Sequence, residues 1–480
     1  MRARANSKSL RDARRGSVLV IVLWIAFGLV SLALYFANSM SFELRASDNR
    51  VCAMAADQAI DGAVRYLNYL LATNAANGSN GIFLTLGDTQ CKAVPVGEAR
   101  FWLIGRDTNT PVGPGKMCFG LVDEASKLNL NTATSNQLVW LPRMTVDLTQ
   151  AILDWVNTNG TGVTVSYYAM QQPSYQCKCA PFETVDELRL LYGADMDTLV
   201  GEDVNRNGIL DPSENDDNQN GMLDPGILEY VTVYSREPNT NSDGSAKVNI
   251  SILTSGPSPL SSLLQTNFGA ARANVILGNL GLASTTGPSR GTAGSSPGAL
   301  GGTSRAAPGG GTTIVRFASP LQFYVKSGMT ETEFALIATN LTTTTGSYTY
   351  GRVNVNTASA AVLTCLLGDD PAGAQQLVNY RVSNPNNLTS IAWIIDALGQ
   401  SYPDDLQALE AGDYITTLSY QCTADIVAVG PHGRGYRRVK YVFDTSSGTP
   451  QIIYRQDLTH LGWALGKETR QKLLLANGTR

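Results

Sequence analysis

Residues 14–37 read Arg14-Arg15-Gly16-Ser17-VLVIVLWIAFGLVSLALYF-Ala37, and no charged residue occurs between Ser17 and Phe42. The stretch Ser17–Ala37 holds about 21 largely apolar positions, which at about 1.5 Å per residue make a helix of about 31 Å, enough to cross the hydrocarbon core of a bilayer. The basic cluster Arg11, Arg14 and Arg15 on its amino-terminal side predicts that the N-terminus stays in the cytoplasm and the remainder is exported. An ordinary secretory signal would have a shorter apolar run, about 7–15 residues, ending at a small-x-small cleavage site. Here the run is longer and no such site follows it.

Helical character continues past the apolar run. Ser41–Asn74 contains no proline, and Gly62 is its one helix breaker. Phe42, Leu44, Val51, Met54, Ala55, Ala59, Ile60, Ala63, Val64, Leu67 and Leu70 fall roughly at i, i+3/i+4 and i+7. The spacing predicts one helix of about 55 residues over 17–74, set by the helical periodicity, with a membrane half (17–37) and an amphipathic half that docks on a globular head.

These residues resemble a known family. A basic leader (1–16), then Gly16 before a small residue and an unbroken apolar helix, is similar to the type III signal of prepilins. The resemblance implies cutting between Gly16 and Ser17 by prepilin peptidase on the cytoplasmic side, and methylation of the new terminus. Most pilins have Glu at the fifth mature position, whereas this chain has Ile21. In filaments that Glu neutralises the amino terminus of a neighbouring subunit within lipid, where an unpaired charge costs several kcal/mol. A subunit that caps the tip can dispense with it. The K-type minor pseudopilins of type II secretion systems lack it too, and Val122-DEASKLNLNTA, Val231-TVYSREPN-Thr240 and the closing Tyr/Arg-rich sheet resemble them. The resemblance implies I- and J-type minor pseudopilins and other pseudopilus subunits as partners, an inner-membrane anchor with a periplasmic body, and contact with secreted cargo. The function implied is initiation of the pseudopilus at its tip in support of protein export across the outer membrane. The alternative is a minor pilin of a type IV pilus, acting in adhesion or DNA-uptake priming.

At 480 residues the chain exceeds one ordinary core, and two to four domains are expected. The expected class is α+β: the long N-terminal helix on a pilin-like antiparallel sheet, with a large, mainly helical insertion. Short strands are expected at 97–105 and 118–123, within a pilin-like segment 75–122, and at 423–430, 436–444 and 451–456, within 419–480. The insertion divides into 123–250, a variable and Gly/Ser/Pro-rich linker at 251–313, and 314–418. It contains a degenerate repeat, since Leu128-NLNTATSNQLVWL-Pro142 matches Val353-NVNTASAAVLTCLLG at an offset of 225 residues. Two equivalent helical subdomains of helix-hairpin-helix type follow, with Asn131/Thr132 and Asn356/Thr357 as expected helix caps. The hairpin Leu141–Leu148 has no glycine to bring backbone against a phosphate.

Charge argues the same way about nucleic acid. Of 36 Lys and Arg, six lie in residues 1–16 beside one of the 40 Asp and Glu, so the remainder carries about −9. Such a body has no general attraction for phosphate backbones, and nucleic acid is not expected as a partner.

One motif carries specific chemistry. Asp203-VNRNGILDPS-Glu214 has Asp203, Asn205 and Asn207 at alternate positions, Gly208 at the turn, the Ile209 carbonyl, Asp211, and Glu214 as a bidentate donor. Hard oxygen donors in this order favour Ca2+. A second copy begins 13 residues on with Asp216, Asn218, Asn220, the Met222 carbonyl and Asp224, but Ile227 stands where Glu is expected, so a ligand from Glu229 or from the first loop is needed. One residue separates the loops, which leaves no room for EF-hand helices and predicts a compact tandem loop over 203–224. Calcium in this domain is also what the K-type resemblance implies.

The seven cysteines are odd in number. Cys91/Cys118 and Cys365/Cys422 flank plausible folded units, and Cys177-Lys178-Cys179 lacks the second half of a zinc site. Nothing converges on catalysis: His432 and His460 stand alone, Gly309–Gly311 has no strand–helix context, and Glu124 and Asp186 read as surface charges or caps. The chain is expected not to be an enzyme.

Overall fold

The computed structural model describes residues 9–79, 81–84, 87–109, 117–282 and 314–478. The leader residues 1–8 and the Gly/Ser/Pro-rich stretch 283–313 lie outside them. The first element is a single helix, α1 (Ser9–Asn74), of 66 residues. Gly16 and Ser17 fall within it. Every large apolar side chain from Val18 to Phe36 is exposed, Trp24 at 77%, so this half has no protein to pack against. It is long and apolar enough to cross a membrane.

The second half of α1 does have a partner. Cys52, Ala56, Ala59, Ile60, Ala63, Leu67 and Leu71 are buried against the sheet. This stripe is narrower than the one expected: Phe42, Leu44, Val51 and Met54 remain exposed. Small residues explain the register, because alanines let the helix approach the strands closely. The sheet consists of β1 (Val94–Val96), β2 (Ala99–Ile104), β3 (Val122–Asp123), β4 (Gln421–Val429), β5 (Arg437–Asp444) and β6 (Gln451–Asp457), antiparallel in the order β1-β2-β4-β5-β6, with β3 also on β4. All nine residues of β4 are buried, since α1 covers one face, and the insertion, with Phe119, Ala464 and Leu465 over Val427 and Val429, covers the other. The expected α+β, pilin-like head is therefore the one observed, and the insertion enters it between β3 and β4.

Gly435 fixes how closely α1 docks. It has φ +68°, and a Cβ there would collide with the backbone of Cys52 and Ala53. Gly448, in the next hairpin, has φ +81° but nothing within 4 Å. Gly435→Ala is therefore expected to cost about 1–3 kcal/mol more than Gly448→Ala, because overpacking adds to the backbone penalty they share. Thermal melts of the two variants check this.

Within the insertion both repeats are built alike. Leu128–Asn129 pairs in parallel with Val231–Thr232, and Val353–Asn354 with Ile415–Thr416. The asparagines expected as caps do something else. Asn131 exchanges hydrogen bonds with the backbone of Phe182, while Asn356 donates to Leu388 O and accepts from Trp393 Nε1. The N-caps are instead Thr134 and Ser359, because the turn after each Asn-Thr pair runs farther before the helix starts. Helices α2 (Ser135–Leu138) and α3 (Val146–Val156) form the first hairpin. After α4 (Met196–Val200) and α5 (Pro259–Asn279) come α6 (Pro320–Ser327) and α7 (Glu331–Ile337), then α8 (Ala360–Leu367) and α9 (Pro371–Ser383), and finally α10 (Trp393–Leu398) and α11 (Pro403–Glu410).

Four of the turns share one feature. Arg143, Gly193, Gly328 and Gly368 have positive φ, and two residues after each stands the N-cap of the next helix, Thr145, Asp195, Thr330 and Asp370. Arg143 and Gly368 are 225 residues apart, so the repeat extends through the hairpin. The helical character expected of the whole insertion is concentrated from α5 onward. Residues 203–226 are rich in Asn, Gly, Asp and Pro, and 157–181 mix Thr and Ser with Asn, Gly and Pro, residues that bond locally or break helix rather than propagate it. Residues 251–282, expected as part of the linker, are folded: Leu260, Leu264, Ala273, Ile276 and Leu277 of α5 join the insertion's core. That single cluster runs from Leu128 to Ile415, so the two repeats share one core rather than forming separate bodies.

Glu124 is another departure. It is 1% exposed, paired with Lys127 at 3.1 Å and accepting from Thr232 at 2.5 Å and Thr423 at 2.6 Å. Burial works against its charge, but Lys127, Lys440 and the two hydroxyls hold its carboxyl at about 2. It is an interior anchor between sheet and insertion, not a surface charge.

Candidate functional site

The tandem loop leaves α4 at Gly201 and returns at Gly226, and its base is closed by backbone bonds from Gly226 N–H to Val200 O (2.8 Å) and Glu202 N–H to Asp224 O (3.2 Å). Both loops have the same backbone signature, with Arg206 and Gly208 in the first, and Gln219 and Gly221 in the second, at positive φ. Their side chains repeat too. Asp203 accepts from Asn207 N–H and Gly208 N–H, both at 2.8 Å. Asp216 accepts from Asn220 N–H at 3.2 Å and Gly221 N–H at 2.8 Å. Asn207 accepts from Ile209 N–H and Asn220 from Met222 N–H. Asn205 and Asn207 donate to Asp211 Oδ2, and Asn218 and Asn220 to Asp224 Oδ2.

The terminal glutamates are where the loops differ. Glu214 closes the first loop, accepting from Asn205 N–H at 3.1 Å and Asp211 N–H at 2.9 Å. In the second loop the corresponding place is taken by Glu202, which accepts from Asp217 N–H and Asp224 N–H, both at 2.8 Å. The Glu before the first loop thus serves the second, and the Glu before the second serves the first. Glu229, the donor considered from sequence, is held by Arg106 at 2.7 Å. A signal for Glu202 was present in the chain: Glu202-Asp203 and Glu214-Asn215-Asp216 both place an acid at the mouth of a loop.

Two arginines bind the first loop to the sheet. Arg438 of β5 donates to Asn205 O (2.5 Å) and Arg206 O (2.7 Å) while gripping Asp425 of β4 through Nε (2.9 Å) and Nη2 (2.6 Å). Arg106, just after β2, donates to Arg206 O (3.1 Å) and Asn207 O (3.3 Å). Neither residue was singled out by sequence reading, since each acts across more than 90 residues of chain.

Among the described residues no three His, Cys, Asp or Glu side chains form a ready cation cluster. The donor set here is of another kind, mixing carboxylates, carboxamides and carbonyls, the oxygen chemistry that hard divalent cations take. The first loop also shows strain that a cation would relieve. Asn205 Oδ1 is buried with no hydrogen-bond partner among the described residues, which is costly for a polar atom. Burial raises the carboxyl of Asp203, against the pull of Arg106. Burial, with Asp203 and Asp211 nearby, pushes Glu214 up to about 7. The residues present therefore fit a hard cation. The second loop is more exposed, with Asn218, Asn220 and Met222 all at the surface.

Ile21, the departure from the acidic fifth position of pilins, lies in the exposed apolar face of α1 at 57% exposure. Among the described residues Cys52, Cys91, Cys177, Cys179, Cys365 and Cys422 are thiols.

Residues 353–409 match the family model described as type II secretion system, protein K. The matched stretch begins at the second repeat's ladder and spans α8, α9, α10 and nearly all of α11. It lies apart from residues 122–133 and 231–240, which carried the K-type resemblance in the sequence. Among solved structures the chain is similar to one described as the GspK-GspI-GspJ complex from the enterotoxigenic Escherichia coli type 2 secretion system. The identity is 10% and the TM-score 0.38, over 84% of this chain and 97% of that one. No curated protein matches the chain by sequence.

Proposed function

We propose that this chain is a K-type minor pseudopilin that caps the type II secretion pseudopilus, with I- and J-type minor pseudopilins as its neighbours. The observation that carries the reading is the protein K match at residues 353–409, set within an insertion between β3 and β4 of a pilin-like head. A filament subunit of this kind works mechanically. The exposed half of α1 packs in lipid against the helices of sibling subunits, while the head sits above the membrane. The insertion covers part of the sheet face opposite α1, bulk that suits one copy at the end of a filament better than many along it. Ile21 fits the same place, because the first subunit has no earlier amino terminus to neutralise within lipid.

In this reading Arg11, Arg14 and Arg15 keep the N-terminus cytoplasmic, prepilin peptidase cuts after Gly16, and the body lies in the periplasm. The first loop holds Ca2+ through Asp203, Asn205, Asn207, the Ile209 carbonyl, Asp211 and Glu214. The second holds it through Asp216, Asn218, Asn220, the Met222 carbonyl and Asp224, with Glu202 completing the set. Bound calcium neutralises the crowded carboxylates and stiffens a loop that Arg106 and Arg438 tie to the sheet. Its role is structural, holding the insertion in register with the head.

Mass spectrometry of the mature chain tests the proposal. The expected product begins at Ser17, methylated on its amino group, and co-purifies with the I- and J-type subunits from the membrane. A product beginning beyond Ala37 would overturn it, since the apolar helix would then be a discarded signal.

A further inference from the structure

Cys177-Lys178-Cys179 is used by none of the roles above. It lies in irregular chain pinned on both sides: before it Tyr175 N–H donates to Tyr168 O at 3.1 Å, and after it Ala180 N–H donates to Trp155 O at 3.1 Å and Asn131 holds Phe182 through bonds of 3.0 and 2.7 Å. Lys178 between the thiols is turned outward onto Glu183 (3.3 Å) and Glu187 (3.0 Å). Cys179 has φ +49°, a left-handed conformation that folds the chain back on itself. Cys179 lies close enough to Cys177 for each to act on the other. Cα atoms two residues apart are at most about 7 Å from one another, close to the range of about 4.4–6.8 Å that a disulfide spans. Both thiols are half-buried, whereas Cys52, Cys91, Cys365 and Cys422 are buried. Gly160 packs beside Cys179, where a Cβ would stand 3.9 Å from its sulfur.

We infer that Cys177 and Cys179 are a dithiol–disulfide pair that closes by exchange with a small-molecule or protein disulfide. The thiolate of Cys179 attacks one sulfur of the oxidant, whose S–S bond breaks and releases one thiol. Cys177 Sγ, which also faces Asp154 O at 3.7 Å, then loses its proton to solvent and attacks the Cys179 sulfur of the mixed disulfide. The second oxidant thiol leaves. Two electrons and two protons have passed to the oxidant, now two thiols. A ring of three residues restricts the unfolded chain little, so the bond is a local lock on the segment that carries Phe182 to Asn131, not a staple for the whole fold. Such small-ring pairs exchange readily.

The test uses purified full-length chain and does not depend on its role in secretion, so a failure here leaves that reading standing. The protein is treated with glutathione disulfide, free thiols are blocked with N-ethylmaleimide, and the denatured chain is digested with trypsin, which cuts after Arg143, Lys178 and Arg189. Peptides 144–178 and 179–189 are expected to stay joined, two hydrogens lighter than the separate pair, and to part on reduction. Cys177→Ser abolishes the joined species and leaves a lasting glutathione adduct on Cys179. Peptides that each carry maleimide or glutathione in the native sequence, or that join to another cysteine instead, overturn the inference.

Discussion

Arg438→Met is expected to destabilise the folded body by about 3–5 kcal/mol, the cost of leaving one partner of a buried ion pair alone. Arg438 is 0% exposed and all three nitrogens of its fork donate, Nε and Nη2 to Asp425, Nη1 to the Asn205 carbonyl and Nη2 also to that of Arg206. Methionine fills part of the volume and none of the bonds. Asp425, on a strand buried along its length, would be left charged in the interior, and the first loop would lose its tie to the sheet. Against a typical total stability of about 5–15 kcal/mol this is a large fraction. Chemical denaturation of the variant measures the loss. Limited proteolysis should show new cuts within 203–226, which a merely weakened core would not produce. Arg438→Met with Asp425→Leu should recover much of the stability but not the protection of the loop, because the loop carbonyls remain unpartnered. A single variant within about 1 kcal/mol of the parent, with the loop still protected, would show that the two arginines do not bolt the insertion to the head.

Parts of this architecture were legible because they rest on neighbouring residues. The apolar run 17–37, the strands ending near Val429, Asp444 and Asp457, and the alternating Asp/Asn/Gly pattern of each loop declare themselves within one or two turns of chain. The repeat was also readable, and the structure extends it to the matched hairpin residues Arg143 and Gly368. What was not legible depends on partners far away. Asn131 and Asn356 look like caps locally, yet bond to chain 51 and 32 residues later. Glu124 reads as a surface acid until β4 and β5 enclose it. Helix α5 was hidden inside a compositionally variable stretch, although Ser258 and Ser261 form its capping box. The stripe on α1 was misjudged because its docking is set by small residues and by Gly435 on the sheet, not by the largest apolar side chains.

Exchange of the two loop glutamates carries the other large effect. If Glu202 completes the second loop and Glu214 the first, Glu202→Gln should abolish calcium heat from the second loop while leaving the first, although Glu202 is adjacent in sequence to Asp203. Glu214→Gln should do the reverse, and calorimetry on the parent and both variants separates the cases. A parent that gives no calcium heat, and no melting shift with chelator, would sink the calcium reading altogether. Occupancy at about a hundred times the dissociation constant adds about 2.7 kcal/mol per site to stability, so chelator should lower the melting temperature by several degrees. The pH dependence has a definite sign. Burial raises both Asp203 and Glu214, the latter to about 7, so in the metal-free fold their ionised forms are disfavoured relative to the unfolded chain. Metal-free stability therefore rises as pH falls through about 7 toward the ordinary carboxylate range. Calcium needs the ionised forms and is released by the same protons, so its contribution shrinks over that interval. The chelator-induced drop in melting temperature should be large at pH 8 and small near pH 5, and a drop independent of pH would mean that these carboxylates do not hold the ion.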